Sequence, residues 1–185
     1  SRAHFLAFGD SITAGELTVP ALGPGRLNSK PPLLRQVVVP ALSYPAILTR
    51  MLAGRYVAQE PMVVNAGQSG ESAGDAEPRL LHTLLTDRPD AVLLLMGYND
   101  LGSSARRLRA VAIMDRMAKD VRGYGARLFI ATLTPGIPGR FRSLEPSAIL
   151  AYNDAIRAIA VGEGAALVDL YGAFQPHVDA WIGVD

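Results

Sequence analysis

The sequence contains no cysteine among its 185 residues. This absence excludes disulfides and thiolate chemistry in the chain. The three histidines, His4, His82 and His177, are too scattered to form a metal-ligand cluster. There is no Walker loop and no dinucleotide fingerprint, since the glycines after the first apolar run lack the required spacing. We therefore expect a protein that needs no metal and no cofactor.

The sequence also has no strong excess of positive or negative charge and no long hydrophobic segment. Charged residues make up 19% of the chain and the net charge is +1, which predicts neither a nucleic-acid partner nor an anionic membrane partner. The apolar run Ala91 to Met96 is too short to span a bilayer, so no stable membrane insertion is expected. The chain begins at Ser1 without Met, so the compartment stays open, with a secreted or periplasmic location favoured over a cytoplasmic one.

What is present is typical of one globular domain over residues 1–185, with hydrophobic residues at 49%. Short apolar runs alternate with helical patterns along the chain. The predicted strands are Phe5 to Phe8, Met62 to Asn65, Ala91 to Met96, Arg127 to Thr132 and Ala166 to Leu170. One predicted helix begins at the cap Ser43. Three more helices are predicted over Asp75 to Thr86, Ser104 to Gly123 and Pro146 to Val161, and irregular chain is predicted after Leu170. This alternation predicts an α/β fold, a three-layer sandwich around a five-stranded parallel sheet.

One segment, Glu16 to Leu42, departs from the alternation. It contains five prolines, a density that forbids a long helix. We interpret it as an ordered, Pro-rich loop insertion. Loops of this length in compact domains are usually lids or binding loops, but a surface insertion without a role remains an equal alternative.

Polar residues follow three of the predicted strands: Asp10-Ser11, Gly67 to Gly70, and Asn99-Asp100. Parallel strands bring their carboxyl ends to one edge, where ligands bind in open α/β sheets. Ser11 can supply a nucleophile, the turn at Gly70 a backbone N–H donor, and Asn99 an amide donor for acyl transfer. The alternative for the first pair is structural, because Asp and Ser are also good helix caps.

These three blocks, Phe8 to Ile12, Asn65 to Gly70 and Gly97 to Asp100, resemble those of the SGNH, or GDSL, hydrolase family, in the family's order. The resemblance implies a flavodoxin-like five-stranded sheet and an esterase or lipase that works without a cofactor. It also implies that Ser11 is the nucleophile and donates its own N–H. The Gly70 N–H and the Asn99 side chain would complete the oxyanion hole.

The family's last block is Asp-x-x-His, in which the His is the general base and the Asp can orient it. By this resemblance Asp185 matches the Asp, and the His would lie three positions beyond it. We therefore expect either that the chain is truncated at its C-terminus and the natural polypeptide continues to the His, or that the base is missing. His177 is expected to be a solvent-facing loop residue.

The substrate is expected to be a small-molecule ester, an acyl ester or an acetylated sugar. Asp10, Tyr98 and Arg140 are the candidate substrate-binding residues, although Asp10 is also expected to hold the serine turn by hydrogen bonds. Arg140 and Arg142 flank Phe141 in the loop after the fourth predicted strand. Two alternatives stay open: a ligand- or carbohydrate-binding module on the same fold, and a flavodoxin-type flavin binder.

Overall fold

A computed structural model of the chain describes residues 3–21, 33–140 and 142–183. The described residues form seven β-strands: β1 (His4–Gly9), β2 (Glu16–Pro20), β3 (Leu34–Val38), β4 (Met62–Gly67), β5 (Ala91–Leu95), β6 (Arg127–Ala131) and β7 (Ala166–Val168). They also form seven α-helices: α1 (Ser11–Ala14), α2 (Tyr44–Arg55), α3 (Ala73–Asp87), α4 (Ser104–Tyr124), α5 (Pro146–Gly162), α6 (Leu170–Phe174) and α7 (Val178–Trp181).

Five of these strands form one parallel sheet in the order β4-β1-β5-β6-β7. Counted along the chain, this is the flavodoxin-like order 2-1-3-4-5. The direction of winding reverses between β1 and β5, and ligands in such sheets bind in the crevice at that reversal. The predicted α/β fold with a five-stranded parallel sheet is confirmed.

The segment after α1 corrects the predicted loop over Glu16–Leu42. Strands β2 and β3 pair antiparallel, from Glu16 opposite Val38 to Pro20 opposite Leu34. The prolines do not prevent this pairing, because Pro20 is the last residue of β2 and Pro40 follows β3. Residues 22–32 of the predicted loop lie outside the described residues.

The chain after the fifth sheet strand is also more regular than predicted. The predicted strand over Ala166 to Leu170 stops at Val168, and α6 and α7 follow instead of irregular chain. Asp169 causes the change, because its side chain accepts a hydrogen bond from the Gly172 N–H at 3.1 Å and so caps α6.

The core lies between the sheet and the helices α3, α4 and α5. The apolar stripes of these helices face the sheet, and the four most deeply packed side chains of α4 are Met114, Met117, Ala118 and Val121. The sheet contributes the buried side chains of Leu6, Phe8, Val92, Leu94, Leu128 and Ile130. Within the described residues, no helix has the length and apolar character needed to cross a membrane.

The turn after β5 depends on Gly97. Its φ of +117° lies in the left-handed region. A Cβ at this position would overlap the hydroxyl of Tyr152, which is fully buried on α5 and donates to the Met96 carbonyl at 2.8 Å. Glycine is therefore required where the chain turns from β5 towards Asn99.

We expect Gly97→Ala to lower the free energy of unfolding by about 2 kcal/mol or more, since it adds backbone strain and a steric overlap. Urea denaturation followed by circular dichroism measures this. Gly123→Ala in α4 is the matched control, because nothing lies within 4 Å of its added Cβ. The control is expected to gain roughly 0.5–1 kcal/mol. Equal stabilities of the Gly97→Ala variant and the wild type would contradict the prediction.

Candidate active site

Ser11 is the first residue of α1, immediately beyond the carboxyl end of β1. It is buried, with 6% of its surface exposed. The chain turns sharply at Gly9, where a Cβ would overlap the Leu95 carbonyl oxygen of β5 and the Thr13 hydroxyl. Ser11 therefore lies at the carboxyl end of β1, as the sequence predicted, and the strand order places this end beside the reversal.

Asp10 is the N-cap of α1 and accepts a hydrogen bond from the Ile12 N–H at 3.1 Å. Its side chain is completely buried. Burial raises the pKa of this carboxyl to about 6, while the backbone N–H groups of Ile12 and Tyr98 act in the opposite direction. The contact of Asp10 with substrate stays a prediction. Its expected structural role agrees with the observed hydrogen bond.

The second block follows β4. Asn65 links this strand to α2, because its amide donates to the Ser43 hydroxyl at 3.2 Å and its oxygen accepts from the Gly67 N–H at 2.9 Å. Gly70 is exposed and adopts a left-handed φ of +76°. The turn thus presents the backbone at Gly70 at the same sheet edge as Ser11.

The third block joins the second through two consecutive residues. The Asn99 amide donates to the Glu71 carbonyl oxygen at 2.9 Å, which uses one of its two N–H donors. The Asp100 carboxylate accepts from the Ala73 N–H at 3.0 Å, at the start of α3. Burial raises the pKa of Asp100, and the Ala73 N–H opposes this. The sequence predicted that Asp100 is a cap. The helix it caps is α3, not the segment that follows it.

Ser11 lines a pocket of about 240 Å³. The lining residues are Ser11, Ile12, Glu16, Tyr98, Thr134, Pro135, Arg142, Phe174, Trp181, Ile182 and Gly183. Of the predicted substrate-binding residues, Tyr98 lies in this wall. Arg142 lies there too and forms an ion pair with Glu16 at 2.6 Å, which ties the loop after β6 to the start of β2.

Arg140 has a different position from the one predicted for a substrate-binding residue. Its guanidinium donates to the carbonyl oxygens of Ile182 and Gly183 and thereby fixes the segment after α7 beside the pocket. Its contact with substrate stays a prediction. Glu16 begins the segment that was interpreted as a possible lid or binding loop, whereas sequence reasoning placed neither Phe174 nor Trp181 in a pocket wall, because nothing in their local pattern indicates that they meet Ser11.

The histidines lie outside the residues that line this pocket. His177 is exposed, as predicted, but it is the last residue of a short 3-10 helix (Gln175–His177) and not part of a loop, and its ring stacks on the indole of Trp181 with ring centroids 4.3 Å apart. His4 lies at the first residue of β1, at the opposite end of the sheet, and His82 is on α3. Asp185, the predicted partner of the base, lies outside the described residues.

Comparison with protein families gave a match to the GDSL-like lipase/acylhydrolase family over residues 7–184, nearly the whole chain. The chain belongs to this family. The resemblance inferred from the three sequence blocks is therefore confirmed. As a member of this family, the protein is a hydrolase that acts on ester substrates.

Solved structures with this fold include the lipase/acylhydrolase from Enterococcus faecalis, 22% identical with a TM-score of 0.69 over 96% of this chain and 80% of that one. AlinE4, an SGNH-hydrolase family esterase, is 23% identical with a TM-score of 0.66, covering 100% of this chain and 85% of its own. A mutant of Axe2, an acetyl-xylooligosaccharide esterase from Geobacillus Stearmophilus, is 19% identical with a TM-score of 0.70, covering 97% and 82%. Comparison with the curated proteins gave no match.

The raised pKa of Asp10 predicts a pH-dependent contribution to stability. Folding binds a proton at this carboxyl between pH 3.8 and about 6, so the free energy of unfolding falls as pH rises through that window. Asn retains the cap oxygen without the charge. The free energy of unfolding of Asp10→Asn should therefore rise relative to that of the wild type as pH increases through this window. At pH values above the window the difference should be on the order of 3 kcal/mol.

Urea denaturation of both proteins at several pH values checks this prediction. Asp154→Asn, a change at an exposed carboxylate on α5, is the control for the loss of one charge. Parallel pH profiles for the wild type and Asp10→Asn would contradict it.

Proposed function

We propose that this family member hydrolyses carboxylic esters through an acyl-enzyme on Ser11. The observation that carries the proposal is the position of Ser11, at the start of α1, at the sheet's reversal and in the wall of a pocket. A serine there is accessible to a carbonyl carbon, and the rest of the wall comes from segments far apart in the chain. The family's ester-hydrolase class supports the same reaction.

The oxyanion hole in this proposal consists of the Ser11 N–H, the Gly70 N–H and the Asn99 amide. The hydrogen bond from Asn99 to the Glu71 carbonyl supports it, because Glu71 directly follows Gly70 in the chain. That bond fixes the orientation of the amide plane and leaves its second N–H to act as a donor. Donors that are fixed before the reaction stabilise developing charge most effectively.

The base in the proposal is a histidine, the residue that has this role in the Asp-x-x-His block implied by the family resemblance. The position of Ile182 and Gly183 in the pocket wall supports a place for that block beside Ser11. In the first step the Ser11 Oγ bonds to the carbonyl carbon and its proton passes to the histidine. The tetrahedral intermediate then collapses, the alkoxide leaves with that proton, and water releases the acid by the reverse sequence.

The substrate class is a small-molecule ester, an acyl ester or an acetylated sugar, with Tyr98 and Arg142 beside the bound group. The competing proposal, a non-catalytic binding module on this fold, requires no reactive serine. No cofactor takes part in either proposal. The absence of a nucleic-acid partner stays a prediction from charge.

The test uses the natural full-length polypeptide. We expect a fluorophosphonate to label Ser11, as mapped by peptide mass spectrometry, and Ser11→Ala to abolish p-nitrophenyl ester hydrolysis while the protein stays folded. His177→Ala is the matched control and should retain activity. Labelling elsewhere, or hydrolysis that survives Ser11→Ala, would reject Ser11. Loss of activity in His177→Ala would make His177 the base, and a folded protein with neither label nor turnover would favour the binding module.

Asn99→Ala tests the oxyanion hole separately. Because an oxyanion donor acts mainly as charge develops, we expect kcat to fall on the order of a hundredfold or more with KM little changed. Asp100→Asn is the neighbouring control, since Asn still offers an oxygen to the Ala73 N–H, and its kcat should stay near the wild-type value. A wild-type kcat in a folded Asn99→Ala variant would show that Asn99 is structural only.

A further inference from the structure

Arg79, on α3, contacts one carboxylate and two backbone carbonyls around the site. Its Nε donates to the Glu71 carboxylate at 2.7 Å and its Nη2 donates to the other oxygen of the same carboxylate. Its Nη1 donates to the Ala66 carbonyl at 2.9 Å, and Nη2 also approaches the Gly9 carbonyl at 3.4 Å. The guanidinium lies over the Phe8 ring, 4.0 Å from its centroid.

These acceptors lie next to the residues assigned to the reaction. Gly9 precedes Ser11 by two residues, and Ala66 is the penultimate residue of β4. Glu71 follows Gly70, and its carbonyl oxygen holds the Asn99 amide. One planar group therefore connects the turn that carries the proposed nucleophile with the turn that carries the Gly70 N–H, and the Glu71 carbonyl of that second turn holds the Asn99 amide.

We propose that Arg79 is a positioning residue for the ester hydrolysis, which fixes Ser11, the Gly70 N–H and the Asn99 amide relative to one another. This inference rests on the proposed function for its catalytic consequence. Arg79 is not among the residues that line the Ser11 pocket, so in this proposal it acts through the groups it holds and does not contact substrate.

The chemistry of the pair fits this role. The Glu71 side chain is 3% exposed and that of Arg79 25%, so the pair is largely removed from water. A rigid fork of donors can satisfy a carboxylate and two carbonyls together, whereas a lysine ammonium is a single flexible point charge. Phe8 adds a cation–π contact to the same guanidinium.

The ion pair between Arg116 on α4 and Glu77 on α3 supplies a matched control. Arg116 binds Glu77 with the same two-pronged geometry, at 2.6 Å and 2.9 Å, but its side chain is 53% exposed and it joins only α3 to α4. Arg79→Met and Arg116→Met thus each remove one arginine from a bidentate pair. Only the first removes contacts to the strand ends.

The first measurement does not depend on activity. Hydrogen exchange by mass spectrometry should accelerate in Arg79→Met within residues 66–72 and 97–101 and stay at wild-type rates in Arg116→Met. Unchanged exchange in both segments of Arg79→Met would overturn the inference, whatever the protein hydrolyses. A wild type with no esterase activity and no label on Ser11 would instead reject the proposed function.

The second measurement is steady-state hydrolysis of a p-nitrophenyl ester by the full-length polypeptide. Displacement of reacting groups by about 1 Å can cost a hundredfold, so kcat should fall by roughly that factor in Arg79→Met, with KM close to the wild-type value. Arg79→Lys should not restore kcat. The double variant Arg79→Met/Glu71→Met, which leaves neither charge buried alone, guards against unfolding and should also have the low kcat. A wild-type kcat in Arg79→Met or in the double variant would overturn the inference.

Discussion

The close contact between β1 and β5 at Gly9 is the constraint on which the rest of the site depends. A side chain at this position would overlap the Leu95 carbonyl oxygen of β5 and the Thr13 hydroxyl of α1, so glycine lets β1, β5 and α1 approach this closely. The turn from β1 into α1 carries Ser11 to the reversal in strand order, where Asn99 follows the adjacent strand. Because Gly97 lets β5 end with a tight turn, the proposed nucleophile and the proposed amide donor come from two strands whose separation the sheet itself fixes.

The same edge concentrates the buried polar groups of the protein. Asp10, Glu71 and Asp100 are each buried and each holds a backbone or side-chain donor near Ser11. Burial raises the pKa values of Asp10 and Asp100. By contrast, the ion pairs Lys119–Asp115 and Arg157–Asp154 lie on exposed helix faces, where such pairs contribute little. Buried polar groups that fix turns at a ligand-binding edge are typical of functional sites.

The sheet and the three blocks could be predicted because their signals are local. Apolar runs such as Ala91 to Met96 end in glycine, and helices such as α2 begin at a recognisable cap, Ser43. The β2–β3 pairing could not be predicted, since the prolines of this segment were interpreted as breakers, although Pro20 is the last paired residue of β2 and Pro40 lies beyond β3. The ion pair of Arg142 with Glu16, 126 positions away, could not be predicted from the sequence either. The same holds for the proposed role of Arg79, whose side chain bridges three segments. Contacts of this kind follow from how the layers pack, which no local pattern encodes.

The central claim is that the ester is cleaved through a covalent intermediate on Ser11. The most direct measurement is rapid acid quenching of the full-length polypeptide during turnover of a p-nitrophenyl ester, followed by peptide mass spectrometry. If the acyl-enzyme forms on Ser11, we expect the acyl group to appear on the peptide containing Ser11 during the burst of p-nitrophenol release. It should disappear when the substrate is exhausted. Steady turnover with the Ser11 peptide unmodified throughout, or with the acyl group on another residue, would contradict it.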